Sequence, residues 1–241
     1  RGTNIFVLNE GNFQSANGSI SVYNTSTQEV QQKIFQSSNS SRPLGDVVQS
    51  MVRIDDRYFI VVNNSAKIEV VNANNFQSLG KIEGLQSPRY ILPINPNKAY
   101  VSDLYAGGIS VINPQSLTIT KSIPIGGWSE EMVLIGDTAR VCHVDSSELV
   151  AIDTQSDRIL ARIKTNLQPQ HLEIDKWGKS WVSCSGGYKH GKPALHRIDP
   201  LSMQLDKTIE VEDIEKSIGE MAMDPERETI HFLMEGLYSL S

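Results

Sequence analysis

The chain has 241 residues, 39% of them apolar and 21% charged, enough to bury one large core or two smaller ones. Its formal charge of −6 disfavours wrapping around nucleic acid, and no apolar run approaches the roughly 20 residues that cross a bilayer. Two cysteines, Cys142 and Cys184, are too few for a disulfide scaffold. Each lies in an apolar strand-like run, so both are expected as buried free thiols.

In chain order, the opening Arg-Gly-Thr-Asn shows no basic–apolar–small export pattern, so the protein is cytosolic or its signal precedes this numbering. Ile5 to Leu8 is the first strand-like run, and Ile20-Ser-Val-Tyr-Asn24 follows it. The same apolar–x–apolar–apolar–Asn/Asp form returns at Ile68 to Asn72 and Ile109 to Asn113, and more loosely at Leu149 to Asp153 and Leu195 to Asp199. The closing Asn/Asp residues are spaced by 48, 41, 40 and 46 positions. Upstream of each copy lies another strand-like run, the later ones at Tyr58, Ala99, Ala139 and Ser180, and a sixth begins at Thr229. The copy from Tyr90 to Ile123 reads as four strands separated by Asn95-Pro-Asn-Lys, Ala106-Gly-Gly and Asn113-Pro-Gln-Ser. An Asn or Asp side chain at such a corner accepts from the backbone amide two residues on, and proline presets φ for the next turn position. Helical periodicity is lacking, with one turn at Val211 to Ile218 the best candidate.

Four strands repeating at about 40 residues predict an all-β fold, a β-propeller of four-stranded antiparallel blades. The blade segments fall near residues 1–37 (partial), 44–84, 87–126, 129–166, 169–211 and 218–241 (partial), read as one domain. Partial first and last blades leave exposed blade faces, so a seven-bladed ring is expected, with about 80 further residues absent from this sequence.

Five pieces together carry a family likeness: Phe6 to Asn12, Leu44 to Gln49, Ile60 to Val71, Ser87 to Ile91 and Lys192 to Asp199. Over essentially the whole chain they resemble the YncE-like, surface-layer-type seven-bladed propellers (DUF5074-like) of Bacteroidetes surface lipoproteins. One branch of that group captures cobalamin above a TonB-dependent outer-membrane transporter. The resemblance implies a non-enzymatic, extracellular ligand-binding propeller at the outer-membrane surface. Its ligand would be a corrinoid or another nutrient, its docking partner the transporter, and its only membrane attachment a lipid anchor outside this sequence.

Aligning the blades places Asn9 and Glu10, Asn63 and Asn64, Asp103 and Tyr105, His143 and Asp145, and Ser185 and Tyr188 at the strand two–three loops. Entries to the innermost strands hold Gln49, Arg89, Glu130, Gln170 and Gly219, followed by Ser50, Tyr90, Glu131, His171 and Glu220. Long loops at Glu10–Gly18 and Gly186–Lys192 share this rim, and Trp128 offers either an aromatic surface there or blade packing. The ligand-binding candidates are thus Asn9, Glu10, Asn63, Asn64, Arg89, Tyr90, Asp103, Tyr105, Trp128, Glu130, Glu131, His143, Gln170, His171 and Tyr188. Such a rim suits multipoint hydrogen bonding to a polar ligand. No nucleophile elbow or phosphate-cradling loop is present, and no cofactor or metal is expected. Two alternatives stay open: a rim-centred lyase or hydrolase in which His143 and His171 meet with Glu131 as a metal or acid–base site, and a structural interaction scaffold.

Overall fold

A computed structural model describes residues 3–241. The described chain forms six antiparallel sheets, each a meander of consecutive strands. The first holds β1 (Asn4–Asn9), β2 (Ser19–Asn24) and β3 (Glu29–Gln31). The second holds β4 (Val48–Ile54), β5 (Arg57–Val62), β6 (Lys67–Asn72) and β7 (Ser78–Ile82). The third comprises β8 (Pro88–Asn95), β9 (Lys98–Asp103), β10 (Gly108–Asn113) and β11 (Thr118–Pro124). In the fourth are β12 (Ser129–Ile135), β13 (Thr138–His143), β14 (Glu148–Asp153) and β15 (Arg158–Lys164). The fifth comprises β16 (Pro169–Ile174), β17 (Ser180–Cys184), β18 (Ala194–Ile198) and β19 (Leu205–Glu210). The last holds β20 (Met221–Met223), β21 (Ile230–Leu233) and β22 (Leu237–Leu240). These are the blades of a β-propeller. Six sheets, not seven, are present among the described residues, so the seven-blade expectation is not borne out there.

The corners follow from their Asn and Asp residues. Asn24 Oδ1 accepts from the amides of Ser26 and Thr27 (2.9 and 3.0 Å), and Asn113 Oδ1 from those of Gln115 and Ser116 (2.8 and 3.1 Å). Asn72, Asp153 and Asp199 do the same work with Asn74, Ser156 and the Leu201–Ser202 pair. Each corner also closes a bond from the amide four residues on to the corner carbonyl, at Gln28, Phe76, Leu117, Asp157 and Met203. All five of those residues have φ between 53° and 59°, the left-handed region that turns the chain back into the next strand.

The chain divides into two compact units, one ending at Ser122 and one beginning at Ile123. Within the first, Ile20, Val48, Ile60 and Val62 form one core, while Phe59, Val61, Ala99, Val101 and Ile112 form another. Alternate residues of β5 thus serve different cores, because successive side chains leave a strand on opposite faces. The second unit repeats the device: Val182 and Cys184 of β17 join Cys142 and Leu149, and Trp181 joins Ile218, Met221 and Ile230. Burial on both faces explains why the central strands read as continuous apolar runs, each large side chain contributing about 1.5–3 kcal/mol. Cys142 and Cys184 are free and buried, as expected.

The short helix differs from expectation. It is α1 (Ile34–Ser38), whose Ile34 and Phe35 are buried in the first core, whereas Val211 to Ile218 holds only turns. Asn39 fixes its end by donating to the carbonyls of Phe35 and Phe76 (2.7 and 2.8 Å). No helix among the described residues is long and apolar enough to cross a membrane.

Candidate functional site

Pairing is interrupted where each complete inner strand begins. The register shifts between Val48 and Ser50, between Pro88 and Ile91, between Ser129 and Met132, and between Pro169 and His171. A bulge leaves residues unpaired and re-aims their side chains. The bulged stretches carry Gln49, Arg89 and Tyr90, Glu130 and Glu131, and Gln170: the inner-strand candidates of the sequence.

In the second unit Glu131, from one of these bulges, joins a three-residue centre. Nδ1 of His171 on β16 lies 3.2 Å from Glu131 Oε1 on β12 and 3.5 Å from Oε2 of Glu220, just ahead of β20. The three side chains offer one donor atom each, all within 4.8 Å of one another. The other oxygen of Glu131 accepts the Leu172 amide at 2.9 Å, which fixes the carboxylate beside the ring. His171 is buried, Glu131 half-buried and Glu220 open to solvent. Burial opposes charge on His171, but the hydrogen bond and field of Glu131, with Glu220 and Glu130 behind it, push its pKa up. Two residues along β16, burial and the charge of Glu131 push the Glu173 carboxyl up as well. From Ile123 onward twenty Asp and Glu outnumber twelve Lys and Arg, whereas the preceding stretch has eight against ten. The centre therefore lies in the acidic half of the chain and favours a cation.

His143 does not join it. Its imidazole is buried at the end of β13, with Nε2 on the Gly126 carbonyl at 3.0 Å and Nδ1 without a partner. Glu220 takes the place expected for His143, because it occupies the repeat position of Glu131 and His171 just ahead of the next inner strand, β20. Glu130 is buried and receives the Trp128 indole N–H at 2.5 Å, while the Trp128 amide donates to Asp145 Oδ2 at 2.9 Å. Asp145 leaves no room behind it: a Cβ on Gly127, at φ +27°, would come within 2.3 Å of its carboxylate.

A groove of about 270 Å³ opens at the same end of the fourth and fifth sheets, lined by Asp145, Ser147, Leu167, Gln168, Gly187 and His190 among others. Gln168 is held there by the Ser185 hydroxyl at 2.8 Å, immediately before the strand that carries Gln170 and His171. Tyr188 is exposed on the neighbouring loop, with the Lys189 ammonium 5.1 Å from its ring centre. The Lys189 amide ties that loop to the Ile214 carbonyl at 2.8 Å.

The candidates of the first unit hold one another. Asn9 donates to Ser21 Oγ at 3.1 Å, and Asn63 to Ser87 Oγ and the Pro88 carbonyl at 2.9 and 3.0 Å. Asn64 donates to the buried Asp46 at 2.5 Å, and Asp46 also receives the Gln14 amide of the long first loop at 2.7 Å. Asp103 is fully buried and accepts from the amides of Gln86, Ser87, Tyr105 and Ala106. Arg89 binds the Gln49 side chain, its carbonyl accepts from Ser50 Oγ at 2.6 Å, and the Tyr90 amide donates to Ser102 Oγ at 3.1 Å. Glu10 and Tyr105 are exposed.

Comparison with solved structures agrees with the fold. A catalytically inactive histidine-to-alanine variant of virginiamycin B lyase from Staphylococcus aureus, with quinupristin, superposes with a TM-score of 0.70 at 14% identity, over 92% of this chain and 71% of that one. Hydrazine synthase of Kuenenia stuttgartiensis matches at TM-score 0.67 and 19% identity, over 74% of this chain. The WD40 β-propeller domain of Doa1 matches at 0.64 and 11%, over 79% of this chain. The chain spans 52% of the hydrazine synthase chain and 61% of the Doa1 domain. No curated protein matches the sequence. A family match covers residues 3–238, nearly the whole chain, and the protein belongs to that family, described as Domain of unknown function (DUF5074).

Proposed function

We propose that this propeller captures a polar nutrient ligand, anchored by Glu131, His171 and Glu220 at the open ends of the second unit's sheets. The observation that carries the reading is the convergence of one side chain from each of three successive repeats within 4.8 Å, in the acidic half of the chain. Glu131 and His171 on strands and Glu220 just ahead of β20, with a groove lined by Asp145, Gln168 and His190 at the same end of the sheets, supply the few contacts that orient a ligand. The resemblance to exported surface propellers supports placing the chain outside a bacterial cell, serving an outer-membrane transporter, and makes a corrinoid the first ligand to try. Calorimetric titration with cobalamin, other corrinoids, amine-bearing nutrients and neutral sugars tests it. Micromolar binding weakened at least tenfold by Glu131→Gln supports capture, and a flat response across the panel refutes it.

The His171–Glu131 contact at 3.2 Å favours one second reading, a rim-centred lyase in which the pair moves a proton. The fold shared with virginiamycin B lyase, inactivated by loss of one histidine, supports testing that class. Turnover of quinupristin, abolished by His171→Ala, would place it ahead of capture.

A further inference from the structure

We propose that Glu131, His171 and Glu220 together hold one divalent first-row metal ion, through His171 Nδ1 and one oxygen of each carboxylate. This rests on the capture reading and names what the ligand would meet there: an ion with open coordination positions.

Donor spacing is the first argument. An ion with bonds of about 2.0–2.1 Å in tetrahedral array keeps its donors roughly 3.3 Å apart. His171 Nδ1 stands 3.2 Å from Glu131 Oε1 and 3.5 Å from Glu220 Oε2. The ion would bind between these atoms and replace the His171–Glu131 hydrogen bond.

The supporting contacts make the second argument. A metal site needs its ligands oriented from outside, and the Leu172 amide at 2.9 Å on the far oxygen of Glu131 does this. His171 pairs with Ser183 of β17, and Glu131 sits in the β12 bulge between the paired residues Ser129 and Met132, so both stand on ordered strands. Glu220 is the exposed member, its side chain 73% accessible, and leaves the ion a path from solvent.

Chemistry selects the ion class. One imidazole and two carboxylates suit zinc, manganese or cobalt better than the soft metals that seek thiolates, and Cys142 and Cys184 are buried within the hydrophobic core instead. Three protein ligands leave at least one position for water or for a donor atom of a captured ligand.

The test uses the full chain after dialysis against EDTA. Calorimetric titration with zinc chloride, and cobalt absorbance as a second probe, should show one ion per chain. His171→Ala should abolish binding, and Glu220→Gln, at an exposed side chain that leaves the fold intact, should weaken it at least tenfold. No saturable binding of zinc, manganese or cobalt below about 100 μM overturns the proposal. So does one-to-one binding that neither variant alters. The ligand panel repeated in EDTA separates the two ideas: ligand binding that survives without metal overturns the claim that the ligand meets the ion, while leaving capture standing. One bound ion with no ligand response supports the metal site and removes capture.

Discussion

Glu131 and His171 stand forty residues apart in sequence and 3.2 Å apart in space. That separation is one repeat, so two equivalent positions on neighbouring inner strands meet because the blades are copies of one another. The contact couples two residues that no short motif joins. In the metal-free protein, Glu131→Gln, His171→Ala and the double variant should show a coupling of about 1.5–3 kcal/mol near pH 6, the range for a hydrogen bond to a charged group. Urea unfolding of the four proteins measures it. Additive losses would mean that the pair does not interact in solution.

A second buried charge concerns stability alone. Glu69 on β6 is fully buried and receives Arg42 at 2.7 Å, Lys67 at 3.0 Å and Ser78 Oγ at 2.5 Å. Burial works to raise its pKa, but these three hydrogen bonds outweigh it and hold the carboxyl below the usual carboxylate range. A depressed folded-state pKa contributes stability above the unfolded value near 4.5, and that contribution is lost as the pH falls through the folded value. Glu69→Gln should therefore cost about 2 kcal/mol at pH 7. The difference from the parent should shrink on acidification toward pH 3. Urea midpoints at the two pH values check this, and a pH-independent difference would contradict it.

Much of this fold is legible in the sequence because the corners announce themselves. Asn24, Asn72, Asn113, Asp153 and Asp199 each bond the turn that the repeat pattern places there. The left-handed residue four positions later was not legible, since Phe76, Leu117 and Met203 carry side chains where glycine would be the usual sign. Helix α1 was hidden for a different reason: five residues are too few to display a 3.6-residue stripe, and its burial depends on Phe76 and Val48 from distant sequence. At the site, repeat alignment brought out Glu131 and His171. It also placed Glu220 at the equivalent position, but a second histidine drew attention to His143. Only the coordinates reveal that His143 is bonded to Gly126 while Glu220 reaches the cluster.

The two thiols should be inert in the native protein. Both are buried, desolvation is the main cause that pushes Cys142 well up, and the same cause pushes Cys184 up to about 12. Thiolate is the reactive form, so neither exposure nor ionisation favours attack. Ellman's reagent at pH 8 should titrate no thiol in the folded chain and two after denaturation. Rapid reaction of either cysteine under native conditions would show that the core of the fourth and fifth sheets opens readily.

Asp103 and Asn63 separate a residue that builds the rim from one that meets a ligand. Both stand at strand two–three loops, but both are buried and bonded within the first unit. Asp103 gathers the amides of Gln86, Ser87, Tyr105 and Ala106, so it sets the shape of two loops at once. Asp103→Ala would leave the buried Ser87 amide and three partly buried amides without their acceptor, at a cost of about 3 kcal/mol. In a chain of this size that corresponds to a fall in Tm of roughly 6–12 °C. Asn63→Ala loses two bonds to the Ser87–Pro88 corner and should cost about 2 kcal/mol. Zinc affinity, measured on the folded fraction at low temperature, should stay within twofold of the parent in both variants. If either variant kept its Tm and lost zinc or ligand binding instead, these side chains would have to act on the ligand rather than on the loops.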